Sequence, residues 1–275
     1  MGKIEEVCRN LYCLTWPLEG YGVSVSSTLI KFSHHVVIVD TFSAPHYLQP
    51  FVQLINELEV RDIWVVYTHS DWDHCLGTRA LWDAGGGSPH INIVSHDLTR
   101  SYLKTHNADD IESIREVHPE LVRNAEVLLP SITFRDGMVL HFDEPNSRFK
   151  DGTSLEIIHV GGHTKDSIAC YIPNYRVLVA GDLVEDPIPM VGEPSEVIKW
   201  TEFLEFYASC TDLVIPSHGR PQGPEILKRN AMYLEELMNL PFISSDVETC
   251  DSGLLQPYLD THKHNIEIVR RWKEY

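Results

Sequence analysis

Positive charge is scarce in this chain. It has 22 lysines and arginines against 40 aspartates and glutamates, a formal net charge of −18. Such a surface repels a phosphate backbone, so nucleic acid is not an expected partner. No apolar run is long enough to cross a bilayer, so no membrane association is expected. The opening residues Met1-Gly2-Lys3-Ile4-Glu5-Glu6 lack the apolar stretch of a secretory leader, and Glu6 stands where a myristoylation signal has Ser or Thr. No Asn-x-Ser/Thr sequon occurs. A cytoplasmic location is the expectation from these absences. The six cysteines form no Cys-x-x-Cys pair, which excludes zinc-ribbon and thioredoxin-like designs and leaves reduced, mostly buried thiols. Gly85-Gly86-Gly87 is not followed by Lys-Ser/Thr, no G-x-G-x-x-G is found, and no G-x-S-x-G elbow is found. Phosphate-loop, dinucleotide-binding and serine-hydrolase readings therefore lack support.

What the chain has is alternation of strand and helix. Ser24–Phe32 and Val36–Val39 read as β-rich runs joined at Ser33-His34-His35, and the second ends at Asp40-Thr41. Pro45 to Glu59 has helical spacing, with Phe51, Leu54, Ile55 and Leu58 on one face. Ile63–Tyr67 is a short, continuously apolar strand of the kind buried inside a sheet. Gly77 to Ala84 reads as a short helix closed by Gly85-Gly86-Gly87, and Ile91–Val94 as the next strand. Residues 97–128 read as a polar, mostly helical insertion, a candidate lid over one end of the sheet. Strands resume at Met138–Phe142, Ser154–Val160, Ile168–Ile172, Val177–Ala180 and Leu213–Pro216, with a helix over Ser195–Ser209. Helices are expected over about 224–275, and one α/β domain spanning 1–275 is the simplest account.

The chemistry concentrates after the buried strand. His69-Ser70-Asp71-Trp72-Asp73-His74 packs two histidines and two aspartates into six positions. In extended backbone His69, Asp71 and Asp73 share a face, and a turn brings His74 beside them. Imidazole nitrogens and carboxylate oxygens are the usual ligands of zinc, iron and manganese. Three more such residues follow apolar strands beside glycine: Gly162-His163-Thr164, Gly181-Asp182 and Ser217-His218-Gly219. Sites in α/β sheets lie beyond the carboxyl ends of strands, and glycine permits a sharp turn and close backbone approach there.

In the order and context of these segments the chain resembles the metallo-β-lactamase superfamily, over residues 10 to about 220. That family carries H-x-H-x-D-H, then His in a G-H-T context, Asp in a G-D context, and a His near a C-terminal strand. Val39-Asp40-Thr41 also looks like its early strand end. The resemblance implies a four-layer αβ/βα sandwich with C-terminal helices, and two divalent metal ions (zinc, iron or manganese) between its two sheets. It assigns one metal to His69, Asp71 and His163, the other to Asp73, His74 and His218, with Asp182 bridging. The family's second His is Asp71 here, which is similar to the flavodiiron branch with its Glu and tilts the metal towards iron or manganese. Where lactonase relatives carry a Tyr three positions after the bridging Asp, this chain has Glu185.

The implied activity is a metal-dependent hydrolase. A metal-bound hydroxide would attack an ester, thioester, lactone or phosphoester of a small molecule, with Asp73 orienting it. Trp72 and Glu185 are candidate substrate contacts, and Trp16 and Tyr21 weaker ones. Cys75 is expected to pack under the loop, and His159 to lie in the core or behind a ligand. A di-iron redox enzyme and a binding protein with a degenerate site are the alternatives. The sequence carries no flavodoxin-like domain to feed the first, and seven ligand-type positions argue against the second.

Overall fold

The computed structural model describes residues 2–84, 90–142, 153–239 and 256–274. Seven strands form one sheet in sequential order: β1 (Lys3–Cys8), β2 (Leu11–Leu18), β3 (Val23–Phe32), β4 (His35–Val39), β5 (Asp62–Val66), β6 (His90–His96) and β7 (Ile132–Phe134). The pairs from β1 to β4 are antiparallel and those from β4 to β7 parallel. The remaining strands are β8 (Gly137–Phe142), β9 (Thr153–His159), β10 (Ile168–Ile172), β11 (Val177–Glu185) and β12 (Leu213–His218). They form a second mixed sheet in the order β12-β11-β10-β9-β8, in which β11 and β12 run parallel.

Period-two burial explains the layering. In β4, Val37 and Val39 enter the core between the sheets, while Val36 and Ile38 pack outward against the helical layer. In the second sheet Ile168, Cys170, Ile172, Val177 and Val179 face inward, and Ala169, Tyr171, Leu178 and Ala180 face the opposite helices. A strand apolar on both faces is stable only when both are covered. The outer layers are α1 (Gln49–Asn56) and α3 (Asp97–Val117) on one side, and α4 (Val197–Cys210), α5 (Glu225–Asn239) and α6 (Gln256–Lys273) on the other. The four-residue α2 (Trp72–Cys75) is too short to form a layer; it is a single turn in the loop after β5.

Several local expectations shift. Pro45–Glu59 is not one helix but a 3₁₀ turn at Pro45–Leu48 followed by α1. Pro50 lies in the first turn of α1, where a missing N–H costs least. Thr78–Asp83 is 3₁₀, and Gly85-Gly86-Gly87 lies outside the described residues. The helix in 97–128 stops at Val117, because Pro119 drives His118 out of the helical region (φ −134°, ψ 69°). β1, β2 and β7 are additional strands: β1 is largely exposed and charged, and β2 carries Pro17, so neither shows a clean alternating pattern.

Candidate metal centre

The site forms where β4, β5, β11 and β12 end, together with the loop after β9. Asp182 does not end its strand as expected. β11 continues to Glu185, with register shifts against β12 between Val179 and Glu185. Gly181 at φ +57° carries that irregularity, and a Cβ there would come within 2.9 Å of Thr68 Cβ. The close approach of β11 to the β5 loop therefore needs glycine.

All seven sequence-selected residues meet. The Nε2 atoms of His69, His74, His163 and His218 lie 3.6, 3.4, 3.5 and 3.3 Å from a carboxylate oxygen of Asp182. Asp71 Oδ2 lies 3.5 Å from His69 Nε2 and 3.3 Å from His163 Nε2. Asp73 oxygens lie 3.5 Å from both His74 Nε2 and His218 Nε2. Donor atoms at the corners of a tetrahedron with ~2.0–2.1 Å bonds are about 3.3–3.4 Å apart, the spacing seen here. Three-residue sets of donor atoms within 4.8 Å of one another are His69/Asp71/His163, His69/His74/Asp182, Asp73/His74/His218 and His163/Asp182/Glu185.

Each imidazole is turned by its other nitrogen. His74 Nδ1 meets Asp40 Oδ2 at 3.0 Å, His163 Nδ1 the Met190 carbonyl at 3.1 Å, and His218 Nδ1 the Ser24 carbonyl at 2.8 Å. His69 Nδ1 meets Thr68 Oγ1 at 2.9 Å, whose hydroxyl donates to Asp40 Oδ2 at 2.7 Å. Acceptors behind Nδ1 put the ring proton there and leave the Nε2 lone pair facing inward. His69 Nε2, His74 Nε2 and Asp182 Oδ1 are buried without a hydrogen-bond partner. Burying unsatisfied polar atoms is costly, and a cation satisfies all three at once. The donor set therefore fits a metal.

Electrostatics agree. Burial lowers the affinity of His74, His163 and His218 for protons, yet the neighbouring carboxylates outweigh it. His163 is pushed up to about 9 and His218 to about 10, and His74 rises well above the ordinary range. Burial raises Asp71, Asp73 and Asp182, but the surrounding rings reverse the sign and hold all three below the ordinary carboxylate range. Glu185 differs: burial dominates and pushes its carboxyl up.

A cavity of about 610 Å³ opens onto the cluster, lined by Asp71, Asp73, His163, Asp182, Glu185 and His218. Trp72 lines it, with Tyr21 at 5.6 Å between ring centroids, and so do Leu18, Val23, Met190 and Tyr258. Trp16 does not; its Nε1 donates to the Tyr47 carbonyl. Cys75 is buried under the loop, its thiol aimed at the Asp71 carbonyl at 3.3 Å. His159 stands apart, bonded to the Lys165 carbonyl at 2.8 Å and stacked on His96 at 4.0 Å. Asp40 is the residue the motif reading passed over as a mere strand end. Its signal was a carboxylate placed directly after the apolar run Val36–Val39.

A sequence profile of the metallo-beta-lactamase superfamily matches residues 20–219. A linear primary-alkylsulfatase of Pseudomonas sp. (strain ATCC 19151) is 22% identical over 216 residues, covering 70% of this chain; the chain spans only 41% of that relative's length. Among solved structures, a metallo-beta-lactamase from Pontibacter korlensis superposes with a TM-score of 0.63 at 18% identity, over 86% of this chain and 99% of that one. The structure of TMB-1 superposes with a TM-score of 0.62 at 20% identity and the same coverage of both chains. At these identities the two structures speak to the fold: two mixed sheets flanked by helices.

Proposed function

This chain belongs to the metallo-beta-lactamase superfamily, and on that premise we propose that it is a metal-dependent hydrolase of ester-type bonds in small molecules. The observation that carries the reading is the set of buried, unpartnered atoms His69 Nε2, His74 Nε2 and Asp182 Oδ1, pointing into one centre. His69, Asp71 and His163 would hold one divalent cation, and Asp73, His74 and His218 the other. Asp182 would serve both. Zinc, iron or manganese in these positions supplies Lewis acidity and acidifies bound water.

The chain's own groups do the rest. Asp73 faces the cavity between His74 and His218 and is the group that orients the attacking water. Trp72, Tyr21, Leu18 and Val23 form an apolar wall for the substrate body and exclude water from the reacting bond. No Lys or Arg lines this cavity among the described residues, which disfavours substrates whose unreactive part is anionic. Candidate bonds are carboxylic esters, thioesters, lactones and phosphoesters. The alkylsulfatase relative adds the sulfate ester of a linear primary alkyl chain, which the apolar wall also suits.

The test is metal analysis of protein purified without added metal, then a panel of p-nitrophenyl esters, thioesters, lactones, phosphodiesters and a linear alkyl sulfate. Hydrolysis of one class, abolished by chelation and restored by added cation, is the expected result. Iron with oxygen consumption and no hydrolysis would favour a redox enzyme. An ordered protein that takes up no zinc, manganese or iron would overturn the reading in favour of a binding protein.

A further inference from the structure

Glu185 is a buried carboxylate that the seven-residue motif does not use. It closes β11, three residues beyond Asp182, and its register partner in β12 is His218. It is 8% exposed. Its position is fixed from three directions. Its N–H donates to Asn230 Oδ1 at 3.0 Å, and its carbonyl accepts from Asn230 Nδ2 at 3.0 Å. Its Oε1 accepts from the Met190 N–H at 3.1 Å. The Met190 carbonyl in turn accepts from His163 Nδ1 at 3.1 Å, so the backbone of one residue orients both His163 and Glu185. A carboxylate oxygen of Glu185 lies within 4.8 Å of donor atoms of His163 and Asp182. No Lys or Arg lines the cavity beside Glu185 among the described residues. A buried carboxylate is costly unless it is protonated, paired with a cation or bound to a metal, and a metal at this centre would hold Glu185 ionised.

We propose that Glu185 is a further metal ligand, on the His163 side of the centre. The inference rests on the two-metal reading above. It makes the two metal positions unequal. The His163 side gains the donors His69, Asp71, His163, Asp182 and Glu185, three of them carboxylates. The other side has His74, His218, Asp73 and Asp182. Carboxylate-rich, higher-coordinate sites suit manganese and iron, whereas four-coordinate sites with fewer carboxylates suit zinc.

The experiment is calorimetric titration of metal-free wild type and Glu185→Gln with Mn²⁺ and separately with Zn²⁺, plus visible spectra of both proteins loaded with Co²⁺. Wild type should bind two Mn²⁺. Glu185→Gln should keep one and lose the other by at least ~10-fold, the smallest loss seen even for an outer partner of a ligand. Zn²⁺ should change less. The Co²⁺ absorption of the variant should grow more intense as coordination number falls. Gln keeps the acceptor for the Met190 N–H, so the metal-free variant should melt with the wild type; Glu185→Asp, one methylene shorter, should fall between the two. Identical Mn²⁺ isotherms and Co²⁺ spectra in wild type and Glu185→Gln would overturn the proposal while leaving the two-metal reading intact. Wild type that binds neither cation would overturn that reading itself.

Discussion

His74 Nδ1 and Asp40 Oδ2 meet at 3.0 Å with both side chains almost wholly excluded from solvent. The same carboxylate accepts the Thr68 N–H at 2.8 Å and the Thr68 hydroxyl at 2.7 Å. Asp40 thereby fixes His74 directly and His69 through Thr68. Asn has a single acceptor oxygen for these three donors, so Asp40→Asn would leave at least one ring poorly held. Zinc affinity should fall by ~10–100-fold, the usual cost of losing an outer partner. Calorimetric titration of the metal-free variant checks this; unchanged affinity would mean that His74 and His69 are not ligands.

His163→Ala and Asp182→Ala should each lose bound metal and hydrolytic activity together, because each removes a donor from the centre. His159→Ala is the matched control, since its ring bonds to the Lys165 carbonyl and stacks on His96 instead. It should retain full metal content. Elemental analysis of the three purified variants separates these outcomes, and metal retained in Asp182→Ala would contradict the shared position of that carboxylate.

The raised histidines give a pH dependence with a definite sign. In the metal-free protein His163 and His218 hold their protons up to about 9 and about 10, against roughly 6.5 for an unfolded ring. Protonation therefore stabilises the fold. That contribution is complete below pH ~6.5 and disappears as pH climbs through the two folded-state values. A cation competes with the same protons for Nε2, so its affinity rises over the same interval. The melting temperature of metal-free protein should fall between pH ~6.5 and 10 while the added stability from saturating zinc grows. A gap between the two curves that stays flat would be the wrong result.

Gly162→Ala should be strongly destabilising. The residue sits at φ +111°, and a Cβ there would lie 2.3 Å from Cε3 of Trp200. Trp200 cannot retreat, because it is fully buried and its Nε1 donates to the Leu183 carbonyl at 2.9 Å. Overpacking and backbone strain together predict a loss of about 2–5 kcal/mol. Urea unfolding of the metal-free protein measures it, and a loss below ~1 kcal/mol would contradict the packing described.

Asn265 links the C-terminal helix α6 to the candidate metal centre. Its Oδ1 accepts from the Val191 N–H at 2.8 Å, and its Nδ2 donates to the Pro189 carbonyl at 2.8 Å. Met190, between those two residues, holds His163 and Glu185. Asn265→Ala strands two buried backbone groups and should cost ~1–3 kcal/mol. It should also weaken metal binding on the His163 side. Unfolding and Mn²⁺ titration of the same variant test both; lost stability with unchanged Mn²⁺ binding would sever the link.

Much of the fold was legible. Ile63–Val66, Ile168–Ile172 and Leu213–Pro216 read as strands because short apolar runs bounded by polar residues admit few other arrangements. β1 was not legible, because an exposed, charged edge strand buries too little to leave a pattern. The end of α3 was marked in the sequence by Pro119, yet the polar stretch beyond it resembles helix in composition.

The residue types and their order along the chain were enough to single out His69, Asp71, Asp73, His74, His163, Asp182 and His218, because ligand chemistry is a property of side chains and their immediate neighbours. Only the folded chain decided which atom of each ring faces the centre. That choice depends on acceptors supplied from remote positions: Asp40 for His74, the Ser24 carbonyl for His218, and the Met190 carbonyl for His163. Backbone carbonyls are identical in every residue, so no sequence pattern announces them. The placement of Glu185 beside His163 is of the same kind, since it arises from a bulged register in β11 and a loop pinned by two distant asparagines.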